Sequence, residues 1–345
     1  MGSSQQTGRR AEDRIHAHAA PGKGKPLAPF AYEPAPLGPH DVEVAISHCG
    51  VCHSDVHLVD NDWGVSRYPL VPGHEIIGTV SALGEGVPHL SRGQRVGIGW
   101  QRGSCLSCHY CVTGREPLCD ANQATCLGHY GGFATHIRVD SRFAFPIPDA
   151  LDSATAAPLL CGGITVFSPL RDFAVTPQMR VGVVGVGGLG HLAIRFARAW
   201  GCEVTAFSST PDKHDAALQL GAHHFAASTD RGAVKRAAGQ DFILSTVMAD
   251  LDWGAYIDAL APGGTLCVVG VPPSALKVEA FSLIGGQKRV CGSAIGGRAA
   301  MGEMLGFAAR HAVGAQAECL PMAEANTALD RVRHNRARFR MVLTA

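Results

Sequence analysis

Between Val42 and Pro148 the apolar positions fall in short runs that alternate with polar ones, DVEVAIS, EIIGTVSALGEG and GQRVGIG, each closed by a glycine-rich turn. Alternation of period two, broken at this spacing, predicts a β-rich first half. After Met179 the pattern changes. Val181–Val184 is a short β-branched run, and Leu192, Phe196 and Ala199 then recur at helical spacing as far as Trp200. The runs CEVTAFSS, Asp241–Val247 and Gly264–Gly270 read as further strands, with a helical pattern over Trp253–Leu260 between the last two. Strands alternating with helices predict a parallel, doubly wound sheet. The Pro-rich stretch PGKGKPLAPFAYEPAPLGP reads as extended surface chain, and no internal repeat is present.

A chain of 345 residues is long enough for two domains, each with its own core. The formal net charge of +1, with only 17% charged residues, gives no basic excess to hold nucleic acid or an anionic membrane, so small molecules are the expected partners. No run of about 18 apolar residues occurs, and the polar start MGSSQQTGRRAEDRIHAH has no apolar centre of the kind a secretory signal needs. A cytoplasmic protein with a frayed N-terminus is expected.

Cysteine spacing brings in chemistry. Cys105, Cys108, Cys111 and Cys119 stand as C-x2-C-x2-C-x7-C, and a two-residue gap lets a tight loop turn two sulfurs toward one point. Four thiolates close a tetrahedral shell, so this set predicts a structural zinc rather than a catalytic one. A nucleic-acid-binding zinc ribbon is disfavoured, because Arg102 and Arg115 are the only Arg or Lys residues from Gly99 to Gly131.

In GVGGLGH, Gly185, Gly187 and Gly190 form G-x-G-x-x-G directly between a strand pattern and a helix pattern. There the motif predicts dinucleotide binding, with Gly185, Gly187, Gly188, Leu189 and Gly190 under the pyrophosphate at the helix N-terminus. At the end of the second strand an NAD site carries an acidic residue on the ribose; here stand Ser208, Ser209 and Thr210, with Lys213 shortly after. Hydroxyls and a cation suit the 2'-phosphate of NADP(H). The other reading open at this point is that Ser209 or Thr210 caps a helix over Asp212–Leu220, and Asp212 could itself approach a ribose.

Three further stretches, HCGVCHSDVHL, VPGHEIIG and PLLCGGITVFSPL, offer Cys52, His74 and Cys161 as ligands, with Glu75 beside His74. Three protein ligands leave a position open at a second zinc, where a carbonyl could be polarised.

These motifs, together with GREPLC and the late GSAIGG, resemble those of the zinc-dependent medium-chain dehydrogenases/reductases, in particular the cinnamyl alcohol dehydrogenase group, over about Arg14 to Thr344. The resemblance implies a GroES-like β-rich catalytic domain over residues 1–160 and 296–345, with an inserted Rossmann domain over 161–295. It implies Cys52, His74 and Cys161 on the catalytic zinc, Glu75 as neighbour or alternate ligand, and Cys49 as packing only. Ser54 and His57 become a proton relay, where the residues alone leave a turn-capping serine and a surface histidine open. His53, Thr165, Thr246, Val247, Ser293 and Ile295 become cofactor contacts, and a homodimer is implied. Gln94 departs from the family's usual Asp. Asp62, Trp63, Trp100 and Leu127 are candidate pocket walls, although both tryptophans suit a core equally.

The expectation is therefore an enzyme with two zinc ions per chain that transfers hydride between NADP(H) and aromatic or medium aliphatic alcohols and aldehydes. An iminium or enal reductase on the same scaffold, and a non-catalytic NADP- and zinc-binding partner protein, are the alternatives.

Overall fold

The computed structural model describes residues 14–345, so the polar N-terminal stretch lies outside the described residues. Asp41–Val51 is the strand on which the β-rich half is built. Val42, Val44 and Ile46 face inward by simple alternation, as the pleat requires. It pairs antiparallel with Glu75–Leu83 and with His136–Asp140, and the sheet continues through Arg95–Ile98 to Ala144–Pro146. On its other side lies a strand from the far end of the chain. Arg340–Thr344 pairs antiparallel with it, Met341 opposite Val51 and Leu343 opposite Cys49, and Ala317–Pro321 adds the outer strand. The last residues of the sequence are thereby placed beside the first candidate ligand.

The second half is a six-stranded, wholly parallel sheet. Its order is His224–Ala227, Glu203–Ser208, Arg180–Val184, Gln240–Ser245, Leu260–Val268 and Arg289–Gly292. The central strand Arg180–Val184 is buried on both faces beyond its first residue, hence the apolar run in place of alternation. Chain order reverses between Arg180–Val184 and Gln240–Ser245. That is the switch point at which ligands enter such sheets, beyond the strand C-termini.

Helix Gly190–Trp200 leaves the central strand through the glycine turn. Leu192, Ala193, Phe196 and Ala197 are buried, and Gly201 ends the helix with φ at +100°, where a side chain would be strained. Its apolar face meets helix Gly162–Asp172, with the Phe167 and Phe196 rings 5.6 Å apart and edge-on. Full burial of such rings contributes roughly 1.5–3 kcal/mol each. The turn itself demands glycine: a Cβ on Gly190 would sit 1.7 Å from the Gly185 carbonyl oxygen.

One element differs from expectation. The helix read over Asp212–Leu220 is divided into a 3-10 turn at Pro211–Lys213 and an α-helix at His214–Gln219. Pro211 fixes the start of the turn, and no side chain caps it, so neither Ser209 nor Thr210 serves as the helix cap. No single helix among the described residues is long and apolar enough to cross a membrane.

Candidate active site

Helix His53–Asp60 starts at Cys52, whose backbone N–H donates to Asp55 Oδ2 at 2.9 Å. The same buried carboxylate accepts from the Gly73 N–H at 2.8 Å through Oδ1, and Oδ1 lies 3.1 Å from His74 Nδ1. With Nδ1–H donating to Asp55, His74 presents Nε2 as an acceptor. That nitrogen is buried and has no hydrogen-bond partner, nor has Glu75 Oε2. Ligand atoms of Cys52, His74, Glu75 and Cys161 all lie within 4.8 Å of one another, and all four residues are buried. Two thiols, an imidazole nitrogen with a free lone pair and a carboxylate form a donor set suited to zinc. Cys49 lies in the core outside this group.

The electrostatics of the pocket agree with that use. The Cys52 thiol is held well below its usual range, first by the hydrogen bond from Cys161 and then by His74, with burial opposing. Burial opposes charge on His74 too, but Asp55 and the Cys161 sulfur outweigh it and raise its pKa. Metal uptake therefore displaces protons. Burial pushes the Glu75 carboxyl up to about 7 against the pull of Arg340. Arg340 is itself buried and ion-paired with Glu75 Oε1. Its Nη1 also lies 3.1 Å from the point where a Cβ on Gly188 would stand, so one guanidinium spans the ligand group and the glycine turn.

Around that turn the structure gathers several expected cofactor residues. Thr246 donates its hydroxyl to the Val184 carbonyl at 2.9 Å, and Val247 lies against Gly185. Lys213 reaches over the loop to donate to the Val186 carbonyl at 2.8 Å; burial and the nearby Arg338 lower its pKa. Ser208 is buried, with its hydroxyl 3.2 Å from the Thr210 N–H it accepts, whereas Ser209 is exposed. The local turn thus engages Ser208 and leaves Ser209 open. Thr165 is half-buried on helix Gly162–Asp172. Ser293 and Ile295 line a cavity of about 560 Å³ with Arg115, Leu118 and Phe173.

Ser54 and His57 lie three residues apart on one helix face. The Ser54 hydroxyl is 3.6 Å from Cys52 Sγ, and His57 Nδ1 is 2.7 Å from Asp62 Oδ2. His57 Nε2 stands 3.5 Å from Met248 Sδ, from the other half of the molecule, and the His53 ring is 6.3 Å from that of His57. Ring contacts then run from His57 to Trp63 at 5.2 Å, Trp63 to Trp100 at 6.4 Å and Trp100 to His74 at 4.8 Å. The two tryptophans form a wall along the ligand group. Trp100 also packs against the β-rich core, as does Leu127, and Asp62 is engaged with His57.

The second thiol group is also assembled. Cys105, Cys108, Cys111 and Cys119 bring their sulfurs within 4.8 Å of one another. Backbone N–H groups of Ser107 and Cys108 hold the Cys105 thiol down at about 6. Glu116, buried beside this lobe, accepts from Arg298 Nε at 2.8 Å and from its backbone N–H at 3.1 Å, which ties the lobe to helix Arg298–His311.

Residues 38–149 match the family model for the alcohol dehydrogenase GroES-like domain, and residues 188–310 match that for zinc-binding dehydrogenase. An aldehyde reductase of Synechocystis sp. is 46% identical over 331 residues, 96% of this chain and 98% of its own. The chain is a zinc-binding medium-chain dehydrogenase. Its relatives in this family include a probable cinnamyl alcohol dehydrogenase of Arabidopsis thaliana, 43% identical over 92% of this chain and 90% of its own. Among solved structures, a cinnamyl alcohol dehydrogenase of Sorghum bicolor superposes with a TM-score of 0.92 at 39% identity, covering 96% of this chain and 97% of that one. A Helicobacter pylori enzyme of the same group, solved in complex with NADP(H), gives 0.89 at 33% identity, covering 96% and 98%. The expected family and fold class both hold for this medium-chain dehydrogenase.

Sequence reading overlooked Asp55 and Arg340. Asp55 stands inside a quoted motif, and its place three residues after Cys52 fits a capping box, a signal that was present. Arg340 follows Glu75 by 265 positions and had no local signal. Asp55→Ala should loosen the Cys52 site alone, because it frees the His74 ring and leaves the four-cysteine lobe untouched. Losing such a support typically costs about 10- to 100-fold in metal affinity. Titration with a chelator should therefore release one zinc per chain at correspondingly lower chelator concentration and the other as in wild type; unchanged release of both would remove Asp55 from the metal site.

Proposed function

We propose that this dehydrogenase reduces aldehydes to alcohols with NADPH, and reverses the reaction with NADP+, on aromatic or medium aliphatic substrates. The observation that carries the reading is the unpartnered His74 Nε2 between the Cys52 and Cys161 thiols, with Arg340 joining that group to the glycine turn. The names of the Synechocystis and Arabidopsis relatives support the aldehyde and alcohol chemistry, and the Helicobacter complex supports the cofactor.

Cys52, His74 and Cys161 would hold the catalytic zinc, Glu75 would stand by as neighbour or alternate ligand, and the four-cysteine lobe would hold the structural ion. Zinc, when bound, supplies a Lewis acid for the carbonyl oxygen, and NADPH supplies the hydride. The chain's own residues do the rest. Trp63 and Trp100 present flat faces to a conjugated aldehyde and keep water off one side of the site. The Ser54 hydroxyl hands a proton toward the product oxygen, and His57, held at Nδ1 by Asp62, resupplies it near the solvent rim. Thr246, Val247 and the glycine turn seat the dinucleotide, while Ser209 and Lys213 face its 2'-phosphate.

A homodimer fits the outer edge of the parallel sheet. Arg289–Gly292 ends the sheet with one side unpaired, and Val271, Phe281 and Ile284 beside it are 63%, 86% and 69% exposed. Apolar residues along an open edge suit a second copy pairing about a two-fold axis.

The function is tested with NADPH deuterated at the transferring position and an aromatic aldehyde such as cinnamaldehyde. Deuterium should appear on the former carbonyl carbon. Ser54→Ala should slow turnover on the order of 10²-fold without weakening NADPH binding. Deuterium on a C=C carbon would instead assign an enal reductase, and cofactor binding without turnover across an aldehyde panel would remove the enzymatic reading.

Cofactor choice rests on Lys213. A charge-assisted hydrogen bond is worth roughly 1.5–3 kcal/mol, so Lys213→Ala should raise the NADPH dissociation constant about tenfold or more while changing that of NADH by less than about threefold. Equal losses for both would place Lys213 as a support of the loop alone. For the dimer, Phe281→Glu should give a species of about half the mass in sedimentation; a wild-type monomer, or an unchanged mutant dimer, would remove this edge as the interface.

A further inference from the structure

His191 directly follows the last glycine of the dinucleotide motif and is fully buried. Buried imidazoles need partners for both nitrogens, and this one has them on two different parts of the molecule. Nε2 accepts from the Gln316 backbone N–H at 3.3 Å, just before the strand Ala317–Pro321 of the β-rich sheet. That acceptance places the ring proton on Nδ1, which lies 3.1 Å from the Gly187 carbonyl and donates to it. The ring stacks on Phe339, centroids 5.0 Å apart and planes 9° from parallel. Burial first, and the Arg340 charge next, push its pKa down to about 3, so it is a neutral imidazole of fixed tautomer across the working pH range.

The Gly187 carbonyl accepts twice, from Nδ1–H and from the backbone N–H of His191 at 3.0 Å. Two donors hold this oxygen toward the helix. Within the same turn the Gly188 and Leu189 N–H groups make no backbone hydrogen bond among the described residues. They remain available to an anion at the helix N-terminus. Because its other nitrogen is bonded to Gln316, the same ring sets the glycine turn relative to the sheet that carries the metal ligands.

We infer that His191 is a positioning residue for the dinucleotide pyrophosphate, fixing the Gly187 peptide and registering the glycine turn against the Gln316 segment. This rests on the reading that the turn binds NADP(H). It separates from that reading, since NADH and NADPH share the pyrophosphate and differ only at the ribose.

The test is a set of dissociation constants for the zinc-loaded enzyme, read from quenching of the four tryptophans. His191→Phe keeps the stack on Phe339 and removes both ring nitrogens. It should weaken NADPH and NADH alike by about tenfold, as loss of a buried hydrogen bond and loosening of the loop imply, while adenosine 2'-monophosphate, which carries neither phosphate of the pyrophosphate, binds as before. His191→Asn restores a donor near the Nδ1 position and should bring both cofactors back to within about threefold of wild type. If the phenylalanine variant does not fold, His191→Leu carries the same expectation. NADPH binding within twofold of wild type in the donor-free variants, or an equal loss of adenosine 2'-monophosphate, overturns the inference. A wild-type enzyme that prefers NADH overturns only the NADP assignment, and one that binds neither cofactor overturns the dinucleotide reading.

Discussion

The active site depends on one buried carboxylate. Asp55 accepts from the Cys52 N–H, the Gly73 N–H and His74 Nδ1, so a single side chain fixes the start of a helix, the turn before a strand and the tautomer of the imidazole proposed as a metal ligand. A carboxylate with no solvent contact is costly unless each oxygen is satisfied, and here the satisfying donors are the frame of the ligands themselves. The hydrogen bonds that satisfy the Asp55 oxygens are thus the same contacts that aim His74 Nε2 at the two thiols. Everything else in the site is placed relative to that arrangement.

Metal group and dinucleotide turn belong to different sheets, and a hydride transfer needs them in register. The C-terminal strand supplies the connection. Arg340 lies in a strand paired with Asp41–Val51, reaches Glu75 on one side and lies against Gly188 on the other. Phe339, its neighbour, stacks on His191 of the glycine-turn helix. At the other side of the molecule the Glu116–Arg298 pair ties the four-cysteine lobe to the helix that follows the parallel sheet. Buried ion pairs of this kind add little net stability compared with apolar packing, but they tolerate few alternative geometries.

How much was legible in the sequence follows from how local each feature is. The thiolate lobe was readable because its ligands sit within sixteen residues, and the spacing alone implies a shared centre. The glycine turn was readable because its first and last glycines answer steric demands that the structure displays, Gly185 with a positive φ against Val247 and Gly190 against the Gly185 carbonyl, while a Cβ on Gly187 would meet open space. The two halves of the fold followed from a change of hydrophobic period. Arg340 and the Gln316–His191 bond were not readable, since they depend on which strand the last residues join. The hydroxyls at the end of Glu203–Ser208 were readable in kind but not in orientation: Ser208 is buried and accepts from the Thr210 N–H, while Ser209 is exposed.

The central claim is that six thiolates are divided between two metal ions of different purpose, four on one and two on the other. X-ray absorption at the zinc edge of the purified, fully loaded protein tests it most directly. The claim predicts a first shell dominated by sulfur at about 2.3 Å, averaging about three sulfurs per zinc, with an imidazole contribution from one site. An average of two sulfurs or fewer, or a shell without imidazole scattering, would contradict the division and with it the catalytic centre built on Cys52, His74 and Cys161.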